Sequence, residues 1–475
     1  MTERLIIVGG VAAGMSAATR ARRINKELEI VVYEKTGYVS YGACGFPYFI
    51  KGDVPEIDAL LIRSPQEFAK QNIEVFVQHE ITAIDPVAKT VQVQNLRSGR
   101  TFTDHWDKLI LATGGKSVPP PLPGIDLNGI FSLRTVEDAL AIKCWLQEKQ
   151  PQNAVIIGGG YIGLEMAEAF SAYGIKVTIV EAQPQILPTI DADMAVYIEE
   201  ELRARGVELY LGHKVKALDG DAPLRRVIAL TAAKVNGHDA AAFVKTATSQ
   251  ARVRSVLTSG AGFPAEMVII GTGTKPAVDV AQAAGVEIGP FRAIRVNSRQ
   301  QTNIPNIYAA GAASEVYHLV AEQPVLLPLA TTASKQGRVA GTNAAGGSDH
   351  FSGVVGTAVV KMFDLHIAQT GLTAKYAQYF GFDVECATIS ATAHAHYMPN
   401  NSPIHVKLVY EKRTHRLLGA QIIGKEGVAK RIDIIATALH AGWTTFDLAK
   451  LDLSYAPPFA PVWDPILVAA NVASK

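Results

Sequence analysis

Cys44, in the run SYGACGFPY, carries the side chain in this sequence best suited to redox chemistry. A thiol attacks a disulfide only as thiolate. A cysteine of ordinary pKa, about 8.5, therefore becomes useful where a helix N-terminus or a positive neighbour lowers that value, and Cys44 sits where a helix could supply this. No second cysteine lies within a few residues, so Cys44 cannot close an internal disulfide. Its oxidised form must use an external partner: a mixed disulfide with a small thiol, a persulfide, or a sulfenic acid formed by peroxide. The competing reading is a small buried apolar residue, the commoner fate of a lone cysteine. Cys144, in AIKCWL on an expected helix, and Cys386, in DVECATI on an expected strand, are read in that second way.

Just before Cys44 the chain reads as a dinucleotide-binding unit. An apolar strand, RLIIV at 4–8, leads into GGVAAG, a helical stretch MSAATRARRI, and a second strand EIVVYEK with Glu34 at its end. Gly9 and Gly14 let the backbone and helix N-terminus approach a pyrophosphate, Val11 replaces the middle glycine, and Glu34, about 20 residues after the turn, accepts hydrogen bonds from ribose hydroxyls. The pattern returns in NAVIIGGGYIGLEMAEAFSAYGIKVTIVEA, where Gly158, Gly160 and Gly163 are all present and Glu181 closes the second strand. Two such units imply two nucleotides.

Behind each unit lies a matching segment, DKLILATGGKSVPPPLPG at 107–124 and AEMVIIGTGTKPAVD at 265–279, with Thr113, Gly114 and Gly273 in their turns. Alone, each is a buried strand and turn; at these offsets they read as crossings between two nucleotide domains. From about 350 to 475 the glycine motif is absent, and strand-like runs (GTAVVKMF, SPIHVKLVYE, LLGAQIIG) accompany a helix, VAKRIDIIATALHAG. The expected fold is α/β, with two Rossmann-like dinucleotide-binding domains and a C-terminal α+β domain. Residues 1–117 with 270–345 would form the first domain, 118–269 the second and 350–475 the third, as a chain of 475 residues allows. Lys plus Arg (45) and Asp plus Glu (44) nearly cancel without a basic run, which excludes nucleic acid as an expected partner. No stretch approaches the roughly 20 apolar residues of a membrane span, and MTERLIIVGG is unlike a secretory signal. Three scattered cysteines make neither a disulfide framework nor a zinc site, so a cytoplasmic protein without a metal is expected.

Across essentially its whole length the sequence resembles the pyridine nucleotide-disulfide oxidoreductases, and within them the single-cysteine branch of the coenzyme A disulfide reductases. The doubled glycine turn, YVSYGACGFPYFIKG, HAHYMP and YAPPFAPVWDP carry the resemblance. It implies FAD in the first unit, NADH ahead of NADPH in the second, and a homodimer whose C-terminal domain completes the partner's active site. Cys44 becomes the redox thiol beside the flavin, and Tyr397 and Tyr455 would reach across to donate a proton or hydrogen bond to a leaving thiolate. The implied cofactor-binding residues are Gly9, Gly14, Glu34, Lys35, Thr113, Gly114, Gly311 and Ala312, with Gly158, Gly160, Tyr161, Gly163, Glu181 and Gly273. Tyr161 would move aside before hydride reaches FAD. Glu181 would bond a free 2′-hydroxyl and repel a 2′-phosphate, and AQPQ after it offers no arginine. Arg20 and Arg23 share a helix face in the region resembling the site for the ADP phosphates of coenzyme A, to which Arg63 and Ser40 would add; a solvated face is the alternative for the arginines. The implied reaction is NAD(P)H-driven reduction of a small-thiol disulfide, foremost coenzyme A disulfide.

The chain departs from this pattern in three places. In TNIPNIYAAGAASEV the residue after Gly311, normally an aspartate bonding the FAD ribitol, is Ala312. That loss costs about 1.5–3 kcal/mol of FAD binding unless Ser314 or a backbone group compensates. The 220–262 region is longer than the family loop, and no rhodanese-like extension follows YAPPF. Three other functions stay open. An NADH oxidase or peroxidase would cycle Cys44 through sulfenic acid, although such relatives usually carry a histidine where the first turn has Ala12. A coenzyme A persulfide or polysulfide reductase would use the same residues. A non-enzymatic flavin redox sensor fits Ala312 but not the complete second turn and Cys44.

Overall fold

The computed structural model describes residues 2–220, 251–399 and 401–475. Most of the longer 220–262 region, residues 221–250, lies outside the described residues. The chain forms two compact units, Met1–Val118 with Arg134–Leu140 and Thr274–Val354, and Pro119–Leu133 with Ala141–Gly273 and Val355–Lys475.

In the first unit Arg4–Val8 is the central strand of a parallel five-stranded sheet. Glu29–Glu34 and then Ile73–Val77 lie on one side, and Lys108–Leu111 and then Ile307–Ala309 on the other. These strands are almost continuously apolar because both faces are covered: Leu5 and Ile7 pack with Ala13, Ala17 and Ala340 of two helices, and Ile6 and Val8 with Ile81, Val91 and Val93 of a second sheet. Leu5, Ile6 and Ile7 are fully buried. The helix Ala12–Ile24 packs on the helix Ala330–Ala344 through small residues. A Cβ added at Gly337 would lie 2.2 Å from the Ala13 oxygen, and one at Gly341 2.3 Å from the Ala17 oxygen. Larger residues would therefore force these helices apart. A three-stranded antiparallel sheet, His79–Asp85, Thr90–Asn95 and Thr101–His105, completes the unit.

The second unit repeats the parallel arrangement around Asn153–Ile157, which lies between Lys176–Val180 and Met267–Ile270, with Glu208–Tyr210 and Ile130–Phe131 at the edges. Its C-terminal part is an antiparallel five-stranded sheet in the order Ala358–Met362, Leu365–Gly371, Leu417–Gly424, Pro403–Glu411, Val384–Thr392. The central strand Leu417–Gly424 is buried along its whole length. Helix Val428–His440 packs on the middle strands and helix Pro465–Ala473 on the last two, giving the α+β fold expected for this block. Among the described residues no helix is long and apolar enough to cross a membrane.

Candidate active site

At the first glycine turn the backbone leaves no room for side chains. Gly9 has φ +105°, and a Cβ there would sit 2.2 Å from the Ala112 oxygen. A Cβ at Gly14 would sit 1.8 Å from the Gly9 oxygen. The Gly10 N–H donates to Glu34 Oε2 at 2.7 Å and the Thr36 N–H to Oε1 at 2.8 Å, so the carboxylate is fixed at the rim of the turn. The following helix has no side-chain cap at Val11 and no acidic residue in its first turn. Its amide groups therefore remain a site for an anion, and the residues fit a dinucleotide. Lys35 is exposed beside Glu34. Thr113 Oγ1 donates to the Ala277 oxygen at 2.6 Å, and the Gly114 oxygen accepts the Ala277 N–H at 2.9 Å, binding the two crossings together. Gly273, with φ +96°, faces open space.

Around Ala312 the polar groups are already committed. The Gly311 N–H donates to Gln336 Oε1 at 2.9 Å. The Ser314 hydroxyl, one candidate to replace the missing aspartate, is buried and donates back to the Gly311 oxygen at 3.1 Å. Ser314 is thus occupied within its own turn.

The segment carrying Cys44 hangs from the first glycine turn. The Ser40 N–H donates to the Gly10 oxygen at 2.8 Å, the Ser40 oxygen accepts from the Ile62 N–H at 2.8 Å, and the Gly42 N–H reaches the Leu60 oxygen at 2.9 Å. Ser40 adopts φ +51°, a strained conformation that this double attachment maintains. Cys44 is exposed in a tight turn, Ala43–Gly45, that runs into the helix Phe46–Lys51. The helix expected beside Cys44 exists but has only six residues. Cys144 and Cys386 correct the sequence reading, since both are exposed rather than buried. Cys144 donates to Glu148 Oε1 at 3.2 Å, and that bond foremost pushes its thiol pKa up. Close packing, then nearby carboxylates, raise Cys386 as well, with Lys407 opposing. Both are thereby disfavoured as thiolates.

The four residues assigned to coenzyme A phosphates differ in their local surroundings. Arg20 Nε donates to Thr342 Oγ1 at 2.9 Å, Arg23 is exposed, and the Arg63 guanidinium lies 5.8 Å over the Phe68 ring. Ser40 is held through its backbone as described. The neighbouring Arg22 is fastened to backbone oxygens of Asn72 at 2.6 Å and Lys26 at 2.7 Å. Arg134 was missed from sequence. Its Nε donates to the Gly115 oxygen at 3.3 Å, and its charge opposes the burial and the Glu34 carboxylate that raise Tyr41. The signal was a helix start, RTVED, in which Asp138 Oδ2 accepts the Arg134 N–H at 2.8 Å and the Thr135 N–H at 2.9 Å.

The second glycine turn has the same construction. Gly158 has φ +109°, and a Cβ at Gly163 would lie 2.2 Å from the Gly158 oxygen. The Gly159 N–H donates to Glu181 Oε2 and the Gln183 N–H to Oε1, both at 2.8 Å. Gly160 differs: its φ is −83°, and an added Cβ would meet nothing within 4 Å. The protein gives no internal reason for glycine there, so the open space fits a ligand that approaches the backbone. Tyr161 follows directly; its hydroxyl accepts from Thr189 Oγ1 at 3.1 Å, and burial raises its pKa. One turn on, burial and then Glu168 push the Glu165 carboxyl up to about 7.

Tyr397 and Tyr455, 58 residues apart in sequence, meet with their hydroxyls 3.4 Å apart. Both are exposed, and the bond to Tyr397 raises the pKa of Tyr455. The Ala395 N–H donates to the Pro457 oxygen at 3.2 Å, stapling the two tyrosine segments. Beneath them the buried Arg431 donates from Nη2 to the Ala393 oxygen at 3.0 Å and from Nε to Asp464 Oδ2 at 3.0 Å. Sequence reading missed Arg431 and Asp464, although aspartate before proline at a helix start is a capping signal. Phe459, Val462 and Trp463 are exposed in the same tail.

Two dinucleotide folds, each with a carboxylate locked at its turn, and an exposed thiol suspended from the first define a two-nucleotide redox enzyme. The chain belongs to the pyridine nucleotide-disulphide oxidoreductases, whose model matches residues 3–337, with the dimerisation domain of that family at 357–465. Membership implies FAD and a nicotinamide cofactor. It is 38% identical over 474 residues to the NAD(P)H coenzyme A polysulfide/persulfide reductase of Pyrococcus horikoshii, covering 99% of this chain and 98% of that one. It is 34% identical over 475 residues to an NADH oxidase of Methanocaldococcus jannaschii, covering 99% of each. The reduced Bacillus anthracis CoADR-RHD structure matches with a TM-score of 0.91 and 36% identity, over 100% of this chain and 80% of that one.

Proposed function

We propose that this enzyme uses NADH to reduce a coenzyme A-linked disulfide or persulfide through Cys44. The observation that carries the reading is the exposed Cys44 thiol on a segment hung from the Gly10 oxygen, with no other cysteine near it in sequence. FAD, when bound, supplies a two-electron relay from nicotinamide to thiol. Residues 1–117 with 270–345 hold it, 118–269 hold the nicotinamide cofactor, and 350–475 form the homodimer. Cys44 as thiolate attacks one sulfur, forming a mixed disulfide and releasing the first thiolate; two electrons then reopen that bond and free the second. NADH, a proton and coenzyme A disulfide thus yield NAD⁺ and two thiols, and a persulfide yields coenzyme A and hydrogen sulfide. Tyr455 or Tyr397 of the partner subunit hands a proton to the leaving thiolate. Glu181, with both oxygens held by backbone amides, favours a free 2′-hydroxyl and hence NADH. A cytoplasmic location suits an exposed redox thiol.

The likeness to an NADH oxidase supports a second reading, in which Cys44 cycles through sulfenic acid with oxygen or peroxide as acceptor. Ala12 weighs against peroxide, because the first turn offers no histidine. Mass spectrometry of the small thiol released when the purified protein is reduced tests the choice. Coenzyme A is expected; release of no thiol from a protein whose Cys44 is sulfenic acid favours the second reading. Tyr455→Phe should slow disulfide turnover by roughly 10²-fold, and an unchanged steady-state rate would remove the proton-donor role.

A further inference from the structure

We infer that Thr189 is a positioning residue that latches Tyr161 in its resting place, and that a buried polar clamp on the C-terminal sheet holds this latch. The inference rests on the proposed reading that Tyr161 moves aside for the nicotinamide. Thr189 belongs to the loop after the second turn's carboxylate, and that loop leans on the turn itself. The Leu187 N–H donates to the Gly159 oxygen at 2.8 Å, and Ile186 occupies the space where a Cβ of Gly159 would fall, 2.8 Å from its Cγ2. Leu187 adopts φ +45° and is buried, a strained conformation for a leucine that needs support on both sides.

Support on the far side comes from Asp191, two residues beyond Thr189. Its N–H donates to Gln421 Oε1 at 2.8 Å, while its Oδ2 accepts from Gln421 Nε2 at 2.7 Å and from the Ala374 N–H at 3.1 Å. Lys407 Nζ lies 3.1 Å from the same Oδ2 and 2.7 Å from Asp193 Oδ1. Gln421, Lys407 and Asp191 are all buried, so losing one of them leaves the others short of a polar partner. The clamp fixes where the loop ends and the glycine turn fixes where it begins. Thr189 is thereby held with its hydroxyl donating to Tyr161, and any ligand that displaces Tyr161 must break that bond.

Calorimetric titration of NAD⁺ into the FAD-loaded enzyme reads this cost without turnover. Thr189→Val and Tyr161→Phe remove the two ends of one hydrogen bond, so each should tighten NAD⁺ by roughly two- to tenfold, and the double variant should be no tighter than either. Gln421→Met should tighten NAD⁺ in the wild-type background and have no effect in the Thr189→Val background, a dependence that a merely structural residue would not show. Asp191→Asn serves the same test if Gln421→Met does not fold. Unchanged affinity in Thr189→Val, or effects that multiply in the double variant, would overturn the latch. Tyr161→Ala separates the two layers: unchanged affinity there defeats the gate reading and the latch with it, whereas tightening in Tyr161→Ala alone defeats only the latch.

Discussion

The two glycine turns are built alike but surrounded differently. In each, the amide of the residue after the first glycine (Gly10, Gly159) and an amide two residues past the carboxylate hold both of its oxygens, at Glu34 and at Glu181. In each, the last glycine presses its Cα side against the oxygen of the first. They diverge where a ligand's chemistry begins. Val11 stands in the first turn where the second has Gly160 with open space, and the first turn's Gly10 oxygen carries the segment that presents Cys44, whereas the second leads into the half-buried Tyr161. Backbone sterics therefore fix the shared cradle, and the residues free of those sterics distinguish the side that carries the thiol from the side proposed for the nicotinamide.

The largest test of that division is Cys44→Ser. It should lower disulfide reduction by roughly 10⁴-fold or more while NADH still bleaches the flavin in anaerobic rapid mixing. Loss of both reactions together would mean that the two turns do not have separate duties. Within the turns, Gly14→Ala and Gly163→Ala should each destabilise by about 3 kcal/mol or more, because the new Cβ meets a backbone oxygen. Gly160→Ala should leave thermal unfolding nearly unchanged and raise the KM for NADH roughly tenfold. A fall in melting temperature equal to that of Gly163→Ala would show that Gly160 serves the fold instead.

On the flavin side, Ala312→Asp should slow FAD dissociation by roughly 10- to 100-fold, followed by flavin fluorescence on dilution. The Ser314 hydroxyl already donates to Gly311, and as a neutral acceptor it is weaker than a carboxylate. Unchanged or faster release would place the compensation elsewhere. On the nicotinamide side the expected effect is smaller and depends on pH. Glu165 titrates near 7 in the folded chain against 4.5 in its ordinary state, because burial disfavours its charge. The folded state thus holds a proton that the unfolded state releases. Stability from this group is fully present below about 4.5 and lost as pH rises through about 7. Glu165→Gln should flatten stability across that window by at most roughly 3 kcal/mol, measured by urea unfolding at each pH; an unaltered pH profile would contradict the assignment.

Both nucleotide turns and their carboxylates were legible because the steric demands at Gly9, Gly14, Gly158 and Gly163 are local and leave glycine as the mark. The C-terminal strands and helix were legible from their apolar runs. Long-range polar geometry was not. Arg431, which holds Ala393 and Asp464 beneath the tyrosines, lies in VAKRIDIIATALHAG like any helix arginine, and its partners are set by tertiary packing. The Gly337 and Gly341 contacts with Ala13 and Ala17 join helices more than 300 residues apart, and nothing local in either segment announces the other. The exposure of Cys144 and Cys386 was misjudged because a lone cysteine's type predicts burial only on average.

In the proposed reaction, electrons entering at the second turn leave through Cys44 to a coenzyme A-linked sulfur–sulfur bond. Steady-state NADH oxidation, measured side by side with coenzyme A disulfide, coenzyme A persulfide and hydrogen peroxide as acceptors, tests it most directly. Efficient turnover of at least one coenzyme A substrate is expected, abolished in Cys44→Ser, with a poor rate on peroxide. Efficient Cys44-dependent turnover of peroxide, with none on either coenzyme A substrate, would contradict it.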